Sequence, residues 1–266
     1  IIAVYIYDLN KNGQTDLRTC LQLMAYGALA VFPIFIVETI TEPLFAGDGL
    51  FIQMLLGVAL VEEGFKFLVI KRFVYDKGTF SAPIDGIVYA VMVGLGFALI
   101  ENLQYVIQFG FWVGVIRMLT AVPMHAICGV LLGYFIGRAK LEAAKEKQLI
   151  AAGIASAVLL HGIYNFTAGI SVGFLPLFII LGFGFYYANS MVHKGQTVSL
   201  LLEKLSITYV NPDDVEKTSA SNPNSSPQTI SETATDEVDM APEFYEQAYN
   251  ELESGEAKSG IWAMAY

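Results

Sequence analysis

Ionisable side chains occur inside the longest apolar stretches of this 266-residue sequence: Glu62, Glu63, Lys66, Glu101, Arg117, His125 and His161. A charged residue at the centre of a membrane helix costs about 3 kcal/mol on insertion scales, so such residues usually face other helices or a water-filled cavity. Carboxylates, imidazoles and an amine can together activate water, transfer protons or bind a divalent metal. These residues are therefore the candidates for a functional site.

The spacing of the candidates places them on helix faces that are rich in small side chains. Glu62 and Lys66 are four residues apart, so they share a face and can pair. His125 begins a four-residue repeat that continues with Gly129, Gly133 and Gly137. A second repeat runs through Gly153, Ala157, His161 and Asn165. Because small residues allow neighbouring helices to approach closely, both faces are predicted to pack inward, and Phe97 and Glu101 share a similar face. The spacing predicts that four helices direct polar groups to one site.

Six apolar runs are long enough to position these residues within a membrane, which requires about 20 residues for each crossing. They cover residues 19–38, 50–70, 84–107, 111–137, 148–168 and 172–192, and residues 1–7 resemble the end of another span. The composition, 55% hydrophobic and 15% charged, also indicates a membrane protein. The predicted fold is an all-α, polytopic transmembrane helical bundle with six full spans and a partial N-terminal one. Both ends of the sequence lie in apolar runs, so we expect a fragment of a longer chain.

The distribution of charge predicts the orientation of the bundle and a separate tail. Lysine and arginine occur on alternate loops, whereas the loops at 39–49, 108–110 and 169–171 have neither. The positive-inside rule then places the C-terminal tail in the cytoplasm. Residues 211–260 hold 12 acidic and 2 basic residues, which accounts for the net charge of −10. We expect a bundle at 1–205, a disordered acidic linker at 206–241 and a short, truncated amphipathic helical segment at 242–266.

The same features exclude several classes of partner and chemistry. The sequence offers no basic face to nucleic acid, so the expected partners are the lipid bilayer, a membrane substrate and a cytoplasmic protein that binds the acidic tail. Cys20 and Cys128 are the two cysteines, both within apolar runs, which excludes a disulfide framework and paired cysteine ligands. Gly169-Ile-Ser-Val-Gly173 matches the nucleophile-elbow string, but it lacks the strand–turn–helix context, so we read it as a chance match. An aspartyl protease needs two aspartates in the membrane, and the sequence lacks the second one, which excludes that class.

Four motifs in this order resemble the PrsW family of intramembrane proteases: Glu62-Glu63-x-x-Lys66, Phe97-x-x-x-Glu101, His125-x-x-x-Gly129 and His161-x-x-x-Asn165. The resemblance spans residues 1–200 and implies an endopeptidase of the bacterial or archaeal cytoplasmic membrane. It also implies a substrate that is membrane-embedded or crosses the membrane once, such as an anti-sigma factor. A more distant similarity to the type II CAAX-prenyl endopeptidases and bacteriocin-processing proteins implies that His161 and Asn165 stabilise the oxyanion.

Peptide hydrolysis assigns a role to each candidate, because it needs an activated water, a proton donor and an oxyanion stabiliser. Glu62 or Glu63 is the candidate base, with Lys66 as its cationic neighbour, and Glu101 is the second carboxylate. His125 either completes this site or binds a metal. Zinc is the candidate ion, and its candidate ligands are Glu63 (or Glu62), Glu101, His125 and His161. The sequence contains no His-Glu-x-x-His motif, so metal-dependent and metal-free mechanisms both stay open.

Two other functions use the same buried residues. A carrier or proton-coupled transporter can relay protons through glutamate, lysine and histidine, but it typically has discontinuous helices or inverted repeats. The sequence shows neither. A catalytically silent scaffold would use the glycine faces alone, and the complete set of polar motifs argues against it.

Overall fold

The computed structural model describes residues 2–8, 16–45, 47–78, 80–170 and 173–208, and every regular element in these ranges is helical. The first half of the chain forms α1 (Ile2–Asp8), α2 (Leu17–Phe45), α3 (Leu50–Ile52), a π-helical segment (Gln53–Ala59) and α4 (Leu60–Phe73). The second half forms α5 (Pro83–Phe109), α6 (Phe111–Leu141), a 3-10 turn (Ala143–Lys145), α7 (Glu146–Gly169) and α8 (Leu175–Thr208). The predicted all-α class is confirmed.

Five of these helices are long and apolar enough to cross a membrane: α2, α5, α6, α7 and α8. The chain is therefore an integral membrane protein with several apolar spans. The sixth predicted span, residues 50–70, is helical, but it changes from α to π and back to α. It also carries Glu62, Glu63 and Lys66, with Lys71 and Arg72 directly after it, and these charges distinguish it from the five apolar helices. The count of six spans stays a prediction.

Helix α5 lies at the centre of the bundle and is buried along most of its length. It contacts α2 on one side and α6 on the other, and α6 in turn contacts α7. Gly110, with φ of 90°, ends α5 and begins α6, so the two helices form an antiparallel hairpin. A Cβ at Gly133 would lie 2.2 Å from the backbone oxygen of Gly86. The close approach predicted for the glycine face of α6 is confirmed.

The end of α4 is connected to the start of α7 by polar contacts. The Tyr75 hydroxyl donates a hydrogen bond of 2.9 Å to Glu146 Oε1, and the Lys71 ammonium lies 3.8 Å from the same oxygen. Lys71 also lies over the Tyr75 ring, 3.7 Å from its centroid. These contacts help to fix α4, which carries three candidate residues, against α7, which carries two.

The chain divides into two units, residues 1–196 and residues 197–266. All candidate residues belong to the first unit. Of the second unit, the structure describes residues 197–208, which form the last turns of α8. The predicted linker at 206–241 lies almost entirely, and the predicted amphipathic segment at 242–266 wholly, outside the described residues, so both stay predictions.

Candidate active site

Four helices supply the candidate residues, and their side chains meet in the interior of the first unit. Helix α4 supplies Glu62, Glu63 and Lys66, whereas α6 and α7 supply His125 and His161. These five residues are at most 4% exposed. Glu101, from α5, borders the group, and its side chain is 16% exposed. Residues up to 99 positions apart in the chain thus form one buried polar cluster.

The Lys66 ammonium lies between three of these groups. Its Nζ is 2.7 Å from Glu63 Oε1, 3.3 Å from Glu62 Oε2 and 3.0 Å from His125 Nδ1. Nζ also lies 4.2 Å from the centroid of the Phe97 ring. A lysine ammonium can only donate hydrogen bonds, so each of the three partners is an acceptor. The cluster therefore surrounds a cation with two carboxylates and one imidazole.

Each imidazole is oriented by a carboxylate from another helix. His161 Nδ1 lies 2.8 Å from Glu63 Oε1, so it donates to this carboxylate and leaves Nε2 directed towards Glu62, 3.9 Å away. His125 Nε2 lies 2.9 Å from Glu101 Oε2, and its Nδ1 accepts from Lys66. The two rings are perpendicular, with centroids 5.0 Å apart. Each ring thus directs one nitrogen at a carboxylate from another helix and its second nitrogen towards the cluster, where His125 Nδ1 contacts Lys66.

The donor set fits a divalent metal. Glu62, Glu63, His125 and His161 each offer one ligand atom, and these four atoms lie within 4.8 Å of one another. Two imidazoles with carboxylate oxygens are ligands that zinc takes in hydrolases. Glu63 Oε2 is buried and has no hydrogen-bond partner among the described residues, so it keeps a free lone pair for an ion. The carboxylates behind the two imidazoles match the outer-shell partners that orient metal-binding histidines.

The structure brings together six of the seven predicted site residues, with two differences in detail. The four possible ligands include Glu62 instead of the predicted Glu101, which lies behind His125 and contacts its outer nitrogen. Asn165 is half-buried on α7, one turn beyond His161, and does not belong to the four-residue group. Helical spacing predicts the face on which each residue lies, but not how deep it lies relative to residues on other helices.

Two further polar residues lie beside the cluster. Arg117, noted in the sequence without a role, has its Nη2 2.6 Å from Glu101 Oε1. Glu38 of α2 interacts electrostatically with Glu101 and Lys66, and its Oε1 is buried without a partner among the described residues. Sequence analysis missed Glu38 because this residue ends the apolar run at 19–38. A carboxylate at the last position of a predicted span was the available signal.

A membrane-embedded helical bundle with buried glutamates and histidines has the donor set that an intramembrane hydrolase requires. Residues 16–190 match the sequence model described as PrsW family intramembrane metalloprotease. The chain therefore belongs to the PrsW family of intramembrane metalloproteases, as the four motifs had indicated. All seven predicted site residues lie within the matched range.

Individual relatives agree with this assignment. Protease PrsW of Oceanobacillus iheyensis is 37% identical over 177 residues, which cover 66% of this chain and 80% of the relative. Protease PrsW of Shouchella clausii is 31% identical over 190 residues, or 71% of this chain and 82% of the relative. Protease PrsW of Bacillus subtilis is 32% identical over 163 residues, which cover 61% of this chain and 75% of the relative. No solved structure matches the chain.

Proposed function

We propose that this protease hydrolyses a peptide bond of a membrane-anchored regulatory protein, of the anti-sigma-factor kind, and that the substrate crosses the membrane once. The observation that carries the proposal is the burial of Glu62, Glu63, His125 and His161 within 4.8 Å of one another. Ionisable side chains within a membrane protein raise the free energy of insertion unless they pair with one another, and they usually mark a functional site. Its position among helices favours a substrate that enters from the bilayer.

Glu62 is the better of the two candidate bases. Glu63 is bound through Oε1 by both Lys66 and His161, at 2.7 and 2.8 Å, and so holds these two groups in place. Glu62 has only a longer contact to Lys66, at 3.3 Å, and lies 3.9 Å from His161 Nε2. A carboxylate with weaker contacts is freer to accept a proton from an attacking water. Glu63 then acts as the group that fixes His161.

His125 Nδ1, once the Lys66 ammonium moves away from it, His161 Nε2 and the Glu63 carboxylate would hold a metal ion, for which zinc is our candidate, and Glu62 would stay free as the base. When bound, such an ion lowers the proton affinity of water and polarises a peptide carbonyl. Glu101 and Glu63 hold the outer nitrogens of the two imidazoles, and Lys66 balances part of the negative charge. Metal analysis with chelator challenge tests the ion: full cleavage by metal-free protein would exclude it.

The oxyanion is proposed to be stabilised by Asn165, joined by His161 in a metal-free mechanism, in which His161 Nε2 binds no ion. Both lie on α7, one helical turn apart, so their polar groups share a face. The half-buried position of Asn165 leaves it able to contact a substrate next to the cluster. Loss of cleavage in an Asn165→Ala variant with unchanged zinc content would separate this role from metal binding.

The substrate can be identified by comparing protein termini in bacteria that express the wild type or a His161→Ala variant. We expect new termini of single-span membrane proteins in wild-type cells and their absence with His161→Ala. His193→Ala is the matched control, because His193 is exposed on α8 and is not one of the four possible ligands. Identical termini in wild-type and His161→Ala cells would count against the proposed function.

A further inference from the structure

Arg117 is a partly buried cation to which neither the motifs nor the four possible ligands assign a role. It lies on α6, eight residues before His125, and its side chain is 14% exposed. Its guanidinium carbon lies 3.6 Å from the centroid of the Tyr105 ring on α5, and its Nη2 lies 2.6 Å from Glu101 Oε1. The guanidinium is therefore held by an aromatic face and a carboxylate, both on the neighbouring helix.

Glu101 uses its two oxygens for different partners. Oε1 contacts Arg117, and Oε2 lies 2.9 Å from His125 Nε2. Since Lys66 donates to His125 Nδ1, the ring proton must reside on Nε2, and Glu101 must accept it. The orientation and tautomer of His125 thus depend on a carboxylate whose own orientation depends on Arg117.

We propose that Arg117 is a positioning residue, which fixes Glu101 so that His125 presents Nδ1 to the cluster. The proposal rests on the function proposed above, in which His125 works at the hydrolytic centre. Outer-shell partners of this type typically change metal affinity or activity by about 10–100-fold when they are removed. Arg117 contacts Glu101, and Glu101 contacts His125, so Arg117 acts on the four possible ligands through Glu101.

A purely structural role for Arg117 would also join α5 to α6, so the test must observe His125 itself. Arg138→Met is a matched control, because Arg138 is on the same helix, contacts Glu142 at 2.6 Å and has Tyr134 nearby. Arg117→Lys keeps the charge without the planar guanidinium. All variants are made in the full chain, on a His193→Ala background that leaves His125 and His161 as the two histidines.

Nitrogen-15 NMR of labelled histidine, in metal-free protein in lipid nanodiscs, reports the tautomer of each ring. We expect the Nε2–H tautomer of His125 in the parent protein. Arg117→Met should shift that signal and weaken Zn²⁺ binding about 10–100-fold, with Arg117→Lys between it and the parent and Arg138→Met unchanged. These readouts do not require cleavage, so failure of the proposed proteolysis is distinguishable from failure of this inference.

Three results would overturn the role of Arg117. An Nδ1–H tautomer of His125 in the parent protein contradicts the assignment of the ring proton to Nε2, and this result needs no variant. A parent-like His125 signal with parent-like Zn²⁺ affinity in Arg117→Met contradicts the positioning of Glu101 by Arg117. If Arg117→Met does not fold, a parent-like signal and affinity in Arg117→Lys contradict the requirement for the guanidinium.

Discussion

Lys66 neutralises part of the negative charge that Glu62 and Glu63 bring into the protein interior. Its ammonium contacts both carboxylates and His125, and its side chain is 3% exposed. A buried charge whose partner is removed cannot recover its solvation from water, which makes loss of one partner strongly destabilising. At the scale of single residues, the stability of the cluster therefore depends on the Lys66 ammonium. While it donates to these three partners, it cannot serve as a base or a metal ligand.

We expect Lys66→Met to lower the free energy of unfolding by about 3–5 kcal/mol, because two buried carboxylates lose their cation. Thermal unfolding in detergent, followed by circular dichroism, measures the change. Lys145→Met is the control, since the Lys145 side chain is 68% exposed and its ion pair with Glu142 is accessible to solvent. Equal stability of the two variants would show that the Lys66 contacts contribute little.

At the scale of helices, the site exists because α5 and α6 approach each other closely along glycine faces. A Cβ at Gly133 would meet the backbone of Gly86, and one at Gly94 would lie 3.1 Å from the His125 carbonyl oxygen. A backbone contact cannot be relieved by a side-chain rotation, so a larger residue at Gly133 must separate the helices. This separation would move His125 away from Glu101.

Gly133→Val should lower both stability and cleavage, with a destabilisation of about 1–3 kcal/mol or more from overpacking. Gly182→Val on α8 is the matched control, because a Cβ at Gly182 meets no atom within 4 Å. Thermal unfolding and a cleavage assay on both variants provide the measurement. Equal stability and equal cleavage in Gly133→Val and Gly182→Val would show that the close contact at Gly133 does not hold the two helices together.

The sequence was sufficient to predict which helix faces meet, but not the contacts made there. The glycine repeat after His125 predicted the packed face of α6, and the charges of α4 predicted an interior site. The contact between Lys66 and His125, 59 residues apart, depends on the relative rotation and depth of two helices. The position of Glu101 behind His125 has the same origin. The residue types of the π-helical segment before α4 are those of an ordinary apolar helix and do not predict its π-helical hydrogen bonding.

At the scale of the whole molecule, the predicted orientation of the chain depends on a membrane crossing by residues 50–73. Their apolar character and the alternation of basic loops favour a crossing, which would make six spans and leave the C-terminal tail in the cytoplasm. Asp48 and Lys77 would then face opposite sides of the membrane. The proposed cytoplasmic partner of the acidic tail requires this orientation.

Single cysteines introduced at Asp48, Lys77, Gly110 and Lys145 test this topology in intact cells. We expect an impermeant maleimide to label positions 48 and 110 from outside, and positions 77 and 145 only after permeabilisation. The native Cys20 and Cys128 are buried, so they should contribute little background in the parent protein. Labelling of positions 48 and 77 from the same side would contradict a crossing by residues 50–73.

The central claim is that the buried Glu62/Glu63 pair performs the hydrolysis, and its most direct test is the initial cleavage rate of a single-span substrate in proteoliposomes. We expect Glu62→Gln and Glu63→Gln each to lower this rate by about 10²–10⁴-fold, the usual contribution of acid–base catalysis. Glu42→Gln, the same substitution at an exposed position of α2, should retain the wild-type rate. Wild-type rates in both Glu62→Gln and Glu63→Gln would contradict the account.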